Sequence, residues 1–272
     1  MRRPVAMLIT LVLVFWQVIV FAAPLTPPQV EAEAAVIMVA KTRQVLFGQN
    51  QDAIMYPAST TKIMTLITAI EQGKLDSVAT VSGRAAVCDG SSLELRAGDK
   101  LTLRELATGM MLVSGNDAAE AIAEHVGGSI PNFVEMMNAN AERIGTVNTH
   151  FSNPHGLPDP YNHYTTASDL ALITAHALQN PEFARIVAMP RYTVHFLNRP
   201  DFQVASTNRL LSTFSGANGV KTGFTNAAGD CLVASATRGG VQLIAVILND
   251  DNRWTDAKKM LEYGFQVMGV HP

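Results

Sequence analysis

Three short stretches bring together side chains that could open an acyl bond. In Ser59-Thr60-Thr61-Lys62 a hydroxyl and an amine stand three residues apart. On a helix that spacing puts both groups on one face, within reach of each other. Near the helix start, unpaired backbone N–H groups favour negative charge. A serine hydroxyl is a weak nucleophile until a neighbouring base takes its proton. Lysine can be that base only when neutral, which requires burial or nearby cations. By itself the pattern also describes an ordinary helix start, with a capping serine and a solvated lysine.

The second stretch, Ser114-Gly115-Asn116, follows the apolar run GMMLV and falls on a turn between two helices. A hydroxyl and an amide held on a rigid turn can relay a proton and orient a lysine, although these residues are also common turn formers. The third, Lys221-Thr222-Gly223, lies on a strand candidate. A lysine beside a threonine hydroxyl can hold a terminal carboxylate, and Gly223 leaves room for a substrate backbone to come close. A surface strand carrying one lysine is the plainer alternative.

The elements that position these residues follow from local pattern. AAVIMVA and QVLFGQN, with a turn around Lys41 to Arg43, read as a hairpin. Ile63, Leu66, Ile67 and Ile70 recur at helical spacing up to Gly73. A stretch from about residue 76 to 190 reads as mostly helical. Within it, Thr102 and Glu105 form a capping box, one helix ends at Gly145, and another follows Thr166. RYTVHFL alternates apolar and polar residues but is weakened by His195 and Asn198. CLVASATR and VQLIAVILN flank Gly239-Gly240, a pair suited to a tight hairpin turn, and a closing helix is expected from about Thr255 to Met268. Strands at both chain ends with helices between predict an α+β fold. One antiparallel sheet is assembled from the termini and flanked by helices in three layers, with a helical subdomain inserted.

The chain has 272 residues, 48% hydrophobic and 16% charged, which suffices for one large domain or a domain plus subdomain. A formal net charge of -3 with scattered basic residues argues against a nucleic-acid partner. Cys88 and Cys231 make no disulfide framework and no CxxC or Cys/His cluster, and read as small core-filling residues. No metal or organic cofactor is implied. Arg2 and Arg3 precede an apolar run from Val5 to Ala23. Small residues close it, so residues 1–22 read as a secretory signal cleaved after Ala22, with an uncleaved anchor as the alternative. A Pro-containing linker, 23–30, then leads to the folded part, 31–272, which is expected outside the cytoplasm.

An SxxK, then an SxN, then a KTG is the signature set of penicillin-binding proteins and serine β-lactamases. The longer stretches YPASTTKIMT, LVSGNDAAEAIAEH, FSNPHGLPD, HYTTASDLA and NGVKTGFTNAAGDCLVASA resemble the low-molecular-mass penicillin-binding proteins of the D-alanyl-D-alanine carboxypeptidase type, from about residue 31 to the C-terminus. The resemblance implies the β-lactamase/penicillin-binding-protein-like transpeptidase fold. It implies removal of the terminal D-alanine from peptidoglycan pentapeptides ending in D-Ala-D-Ala, with β-lactams as covalent inhibitors. Carried over by position, Ser59 is the acylated nucleophile, Lys62 its base, Ser114 the proton relay to the departing D-alanine, and Asn116 the support of Lys62 and of the substrate amide. Lys221 and Thr222 hold the carboxylate, with Gly223 beside them, and the N–H groups of Ser59 and Phe224 form the oxyanion hole. Asn153, His155 and Gly156 shape a loop near the site. Asn218 stands where the family often has Asp, which puts one supporting hydrogen bond in doubt. Many relatives carry a further β-rich domain and an amphipathic C-terminal helix; neither is seen here, so membrane contact is expected only through an uncleaved N-terminus.

Two other activities share the acyl-enzyme. A β-lactamase of this motif set needs a glutamate for the deacylating water, and no ExxLN setting lies between the second and third motifs. A D,D-endopeptidase or transpeptidase differs only in leaving group or acceptor, which the sequence does not separate. The sequence contains no HExxH, P-loop, GxGxxG or GxSxG motif.

Overall fold

The computed structural model describes residues 25–270. The export segment read at residues 1–22 lies outside the described residues. Strands β1 (Ala34–Val39) and β2 (Val45–Gln49) form the expected N-terminal hairpin. A 3-10 turn, Ala58–Thr61, leads into α1 (Lys62–Gln72). A ribbon of β3 (Val78–Thr80) and β4 (Lys100–Thr102) precedes α2 (Leu103–Val113), α3 (Asn116–Gly127) and α4 (Ile130–Ile144). Helices α5 (Ala167–Ala177) and α6 (Pro181–Val187) follow, then a second ribbon of β5 (Arg191–Val194) and β6 (Phe202–Ala205). A short α7 (Leu210–Thr213) is followed by β7 (Ala217–Thr225), β8 (Gly229–Arg238), β9 (Val241–Leu248) and α8 (Arg253–Val267).

The chain ends meet in one five-stranded antiparallel sheet of order β2-β1-β9-β8-β7. The reason is legible in β1, whose six residues are all buried. Ala34, Val36 and Met38 enter a core shared with Ile63, Leu66 and Ile67 of α1 and Ile173 of α5. Ala35, Ile37 and Val39 enter a second core with Met260, Leu261 and Phe265 of α8. A strand apolar on both faces demands cover on both, and that demand produces the three layers. At Gly239-Gly240 both residues have positive φ, 53° and 77°, as the two-residue turn between β8 and β9 requires.

Three local expectations need correction. Thr102 Oγ1 does accept from Glu105 N (3.3 Å), but the Glu105 carboxylate does not return to the helix start. It accepts instead from Tyr192 OH (2.8 Å) and His195 N (2.9 Å). That contact, with Lys100 N donating to Asn198 Oδ1 (2.9 Å), draws the chain away after Val194. The strand read across RYTVHFL therefore stops early and pairs in its own ribbon. Cys231 is buried as expected, whereas Cys88 is half-exposed on a loop and fills no core. Among the described residues, no helix is long and apolar enough to cross a membrane.

Candidate active site

Ser59 sits in the 3-10 turn at the mouth of α1, partly exposed between buried Ala58 and Thr60. Ala58 holds a left-handed φ of 46°, a conformation costly for a residue with a Cβ and found where the surroundings enforce it. The enforcing neighbour is Gly156 (φ 95°). A Cβ there would stand 1.9 Å from the Ala58 carbonyl oxygen and 3.0 Å from Ser59 N. Asn153 Oδ1 accepts from His155 N (3.2 Å) and Gly156 N (2.7 Å), which folds the loop carrying both. Thr65, on the same face of α1 as Lys62, donates to Pro154 O (2.5 Å) and clamps that loop to the helix.

Lys62 is fully buried, and its amine has three neighbours: Ser59 Oγ at 3.0 Å, Asn116 Oδ1 at 2.7 Å and His155 O at 2.7 Å. Burial first, and then the charge of Lys221, hold its pKa well below the usual lysine value. A neutral amine has two N–H bonds and one lone pair. Two of the neighbours are carbonyl oxygens, which can only accept. They take the two N–H bonds, and the lone pair is left aimed at the Ser59 hydroxyl. The geometry therefore suits proton abstraction from Ser59.

Asn116 begins α3, and its own position is fixed by the loop ahead of it. Its amide Nδ2 donates to Asp89 O (2.6 Å) and its backbone N to Ser91 O (2.6 Å). Ser114 closes α2 in a left-handed conformation, φ 65°, and is buried with its side chain at the cleft wall. The cleft, about 530 Å³, is bordered by Ser59 and Ser114 on one side and by Thr222, Gly223 and Phe224 of β7 on the other. β7 is an edge strand with β8 on one side only, so its free edge is available to face the serine-bearing turn.

Gly223 is needed for a closer reason than room for substrate. A Cβ there would meet Ala58 Cβ at 3.1 Å and Ser59 N at 3.2 Å, so the tight approach is to the turn carrying the hydroxyl. Lys221 is nearly fully buried and donates to Thr222 O (2.9 Å). Burial, followed by Arg253, lowers its pKa to about 7. Thr222 Oγ1 pairs with Thr207 Oγ1 at 2.6 Å on the cleft wall. Phe224 is exposed. Asn218 Nδ2 donates to Thr237 Oγ1 (2.8 Å), while its Oδ1 has no partner, so the doubt over its second hydrogen bond stands.

Two cationic residues at the cleft were missed in the sequence reading. Arg253 donates to Gly223 O (2.7 Å) and Cys231 O (3.1 Å), and Arg209 stands over the ring of Trp254 at 5.6 Å. Neither belongs to a short motif. Only the packing of α8 on the sheet, which sets its first residue beside Gly223 of β7 and Asp230 of β8, brings Arg253 there.

The three-layer fold with its edge strand is that of the β-lactamase/penicillin-binding-protein class. Residues 22–252 match the family described as D-alanyl-D-alanine carboxypeptidase, and the chain belongs to that family. Among curated relatives, D-alanyl-D-alanine carboxypeptidase DacF of Bacillus subtilis is 36% identical over 89% of this chain, and DacA of Haemophilus influenzae is 38% identical over 88%. The chain spans 64% and 63% of the lengths of those two proteins. The crystal structure of the Streptomyces K15 DD-transpeptidase aligns with TM-score 0.84 and 35% identity, covering 89% of this chain and 100% of that one.

Proposed function

We propose that the protein is a serine D,D-carboxypeptidase acting outside the cytoplasm on peptidoglycan stem peptides, and that β-lactams acylate it at the same serine. The observation that carries this reading is the buried Lys62 amine, 3.0 Å from Ser59 Oγ with carbonyl acceptors on its other sides. The Ser59 oxygen attacks the penultimate D-alanine carbonyl while its proton passes to Lys62. The oxyanion is received by the N–H groups of Ser59 and Phe224; losing one such donor costs about 2.7–4 kcal/mol of barrier. Ser114 hands a proton to the departing D-alanine nitrogen, and water later releases the acyl group. Asn116 keeps Lys62 in place and meets the substrate amide. Thr222, with Arg209 and Arg253 at the cleft wall, faces the terminal carboxylate, and Lys221 adds its charge. Residues 1–22 serve as the export segment, 23–30 as a linker and 31–272 as the peptidase domain, with the part from about 76 to 190 as its helical subdomain.

D-alanine release from a peptide ending in D-Ala-D-Ala tests the reading, together with labelling by fluorescent penicillin. Both are expected in the wild type and absent in Ser59→Ala. Sustained cephalosporin hydrolysis without D-alanine release would overturn it. The name of the Streptomyces structure keeps acyl transfer open as a second reading. Crosslinked products formed when an amine acceptor is supplied would identify that activity.

A further inference from the structure

Beside a cavity that shares no lining residue with the cleft, three residues from three distant segments converge. Cys88 ends the short turn Ala85–Val87, Glu120 lies on α3, and His155 lies on the loop pressed against Ser59. One ligand atom from each lies within 4.8 Å of the others, and His155 Nε2 is 3.6 Å from Glu120 Oε1. Glu120 and His155 are buried, Cys88 is half-exposed, and a cavity of about 280 Å³ opens beside them. The serine chemistry proposed above uses none of these three side chains.

We propose that Cys88, Glu120 and His155 form a binding site for a divalent cation of the zinc class. A thiolate, an imidazole and a carboxylate are the donor set that suits zinc, and three protein ligands leave the fourth position to water. Zinc–ligand bonds of roughly 2.0–2.3 Å need donors somewhat closer than 4.8 Å. The closing movement falls to Cys88, whose loop is the least buried of the three supports. Arg84 reaches Glu120 Oε2 (3.4 Å), but its side chain is 66% exposed and can swing to solvent, and Oε1 already faces the imidazole. His155 Nδ1 accepts from Leu157 N at 3.2 Å, which leaves the ring proton on Nε2. The cation displaces the thiol proton to solvent and moves the ring proton to Nδ1, giving up that one neutral hydrogen bond for coordination by three donors.

The site is coupled to the base by backbone. Asp89 and Ser91, next along the loop from Cys88, hold Asn116, and the carbonyl of His155 itself accepts from Lys62. A bound cation would pin the loop and His155 together, and with them two of the three neighbours of the lysine amine. The cation site rests on the cluster alone; this coupling rests on the serine–lysine reading.

Cobalt(II) and zinc(II) added to the metal-free full chain provide the test. Cobalt should bind one equivalent with a sulfur-to-cobalt charge-transfer band, and zinc should displace it. In Cys88→Ser the band should vanish, and zinc affinity should fall by more than about 100-fold, since a ligand is lost rather than its support. Glu120→Gln should weaken zinc while keeping the band. Both variants should melt with the wild type in chelator, which separates lost ligands from lost fold; a variant that does not is replaced by protection of the wild-type Cys88 thiol from alkylation by zinc. Cobalt bound without the charge-transfer band, equal zinc affinity in Cys88→Ser, or unprotected thiol would overturn the proposal. Penicillin labelling in chelator reports on Ser59 independently, so the two readings can fail separately.

Discussion

Lys62 and Lys221 are two lysines kept from water for different ends. Lys62→Arg keeps a long basic side chain but one that stays protonated, so it removes the base. Acylation by fluorescent penicillin should fall by about 10²–10⁴-fold, the usual worth of a positioned base, and stopped-flow labelling would read it. Lys221 titrates at about 7. Its cation is present below that pH and lost as pH rises through it, so attraction for a terminal carboxylate should weaken on the alkaline side. A kcat/KM profile for a D-Ala-D-Ala peptide should fall above about pH 7. The same peptide with a C-terminal amide should lack that limb; equal limbs on both would contradict the assignment. The Ser59–Lys62 pair was readable because an i, i+3 contact is local. Arg253 was not readable, because its place at the cleft depends on how the start of α8 sits beside β7 and β8. The Cys88, Glu120 and His155 cluster was invisible for the same reason, and only the turn, α3 and the 153–156 loop together create it.

Elements hold these side chains through a few tight contacts. Gly156→Ala should drive a methyl into the Ala58 carbonyl and demand φ 95° of an alanine. The expected cost is more than about 1 kcal/mol of stability. Displacing the serine by about 1 Å should slow acylation about 10²-fold; denaturant melts and labelling rates measure the two. Asp117 is a second anchor: its buried carboxylate accepts from Leu93 N (2.9 and 3.0 Å), Leu95 N (3.1 Å), Ala118 N (2.8 Å) and Ser92 Oγ (2.7 Å). Asp117→Ala strands those donors and should destabilise by about 3 kcal/mol or more, with the loop 88–95 losing hydrogen-exchange protection first. Elements whose signals are local matched their reading. The stop of α4 at Gly145, the Thr166 cap of α5 and the Gly239-Gly240 turn each depend on a neighbouring residue. Strands β3, β4 and β6 did not show themselves, and β5 showed only inside a longer strand, because strands of three or four residues are set by their partners rather than by their own pattern. Glu105 was read as a helix cap for the same reason; its true partners lie on the β5 segment, far along the chain.

At the scale of the molecule, the sheet uses both chain ends to hold an edge strand against a helix start, and the site is the seam between them. Maintaining two buried amines there costs stability. The folded-state pKa of Lys221 lies below its usual 10.5, so the penalty is complete below about pH 7 and fades as pH rises toward 10.5. Lys221→Met should therefore raise unfolding stability at pH 6 by about 1–4 kcal/mol, with the gain shrinking in alkaline melts, while D-alanine release is lost. The central claim is that the Lys62 amine is neutral in the resting protein. An NMR titration of ε-13C-labelled lysines tests it most directly, with the Lys62 signal assigned by its absence in Lys62→Arg and distinguished from Lys221 in Lys221→Met. A Lys62 resonance that remains in the neutral form far below the pH at which the surface lysines deprotonate is the predicted result. A resonance that titrates together with the surface lysines would contradict the account.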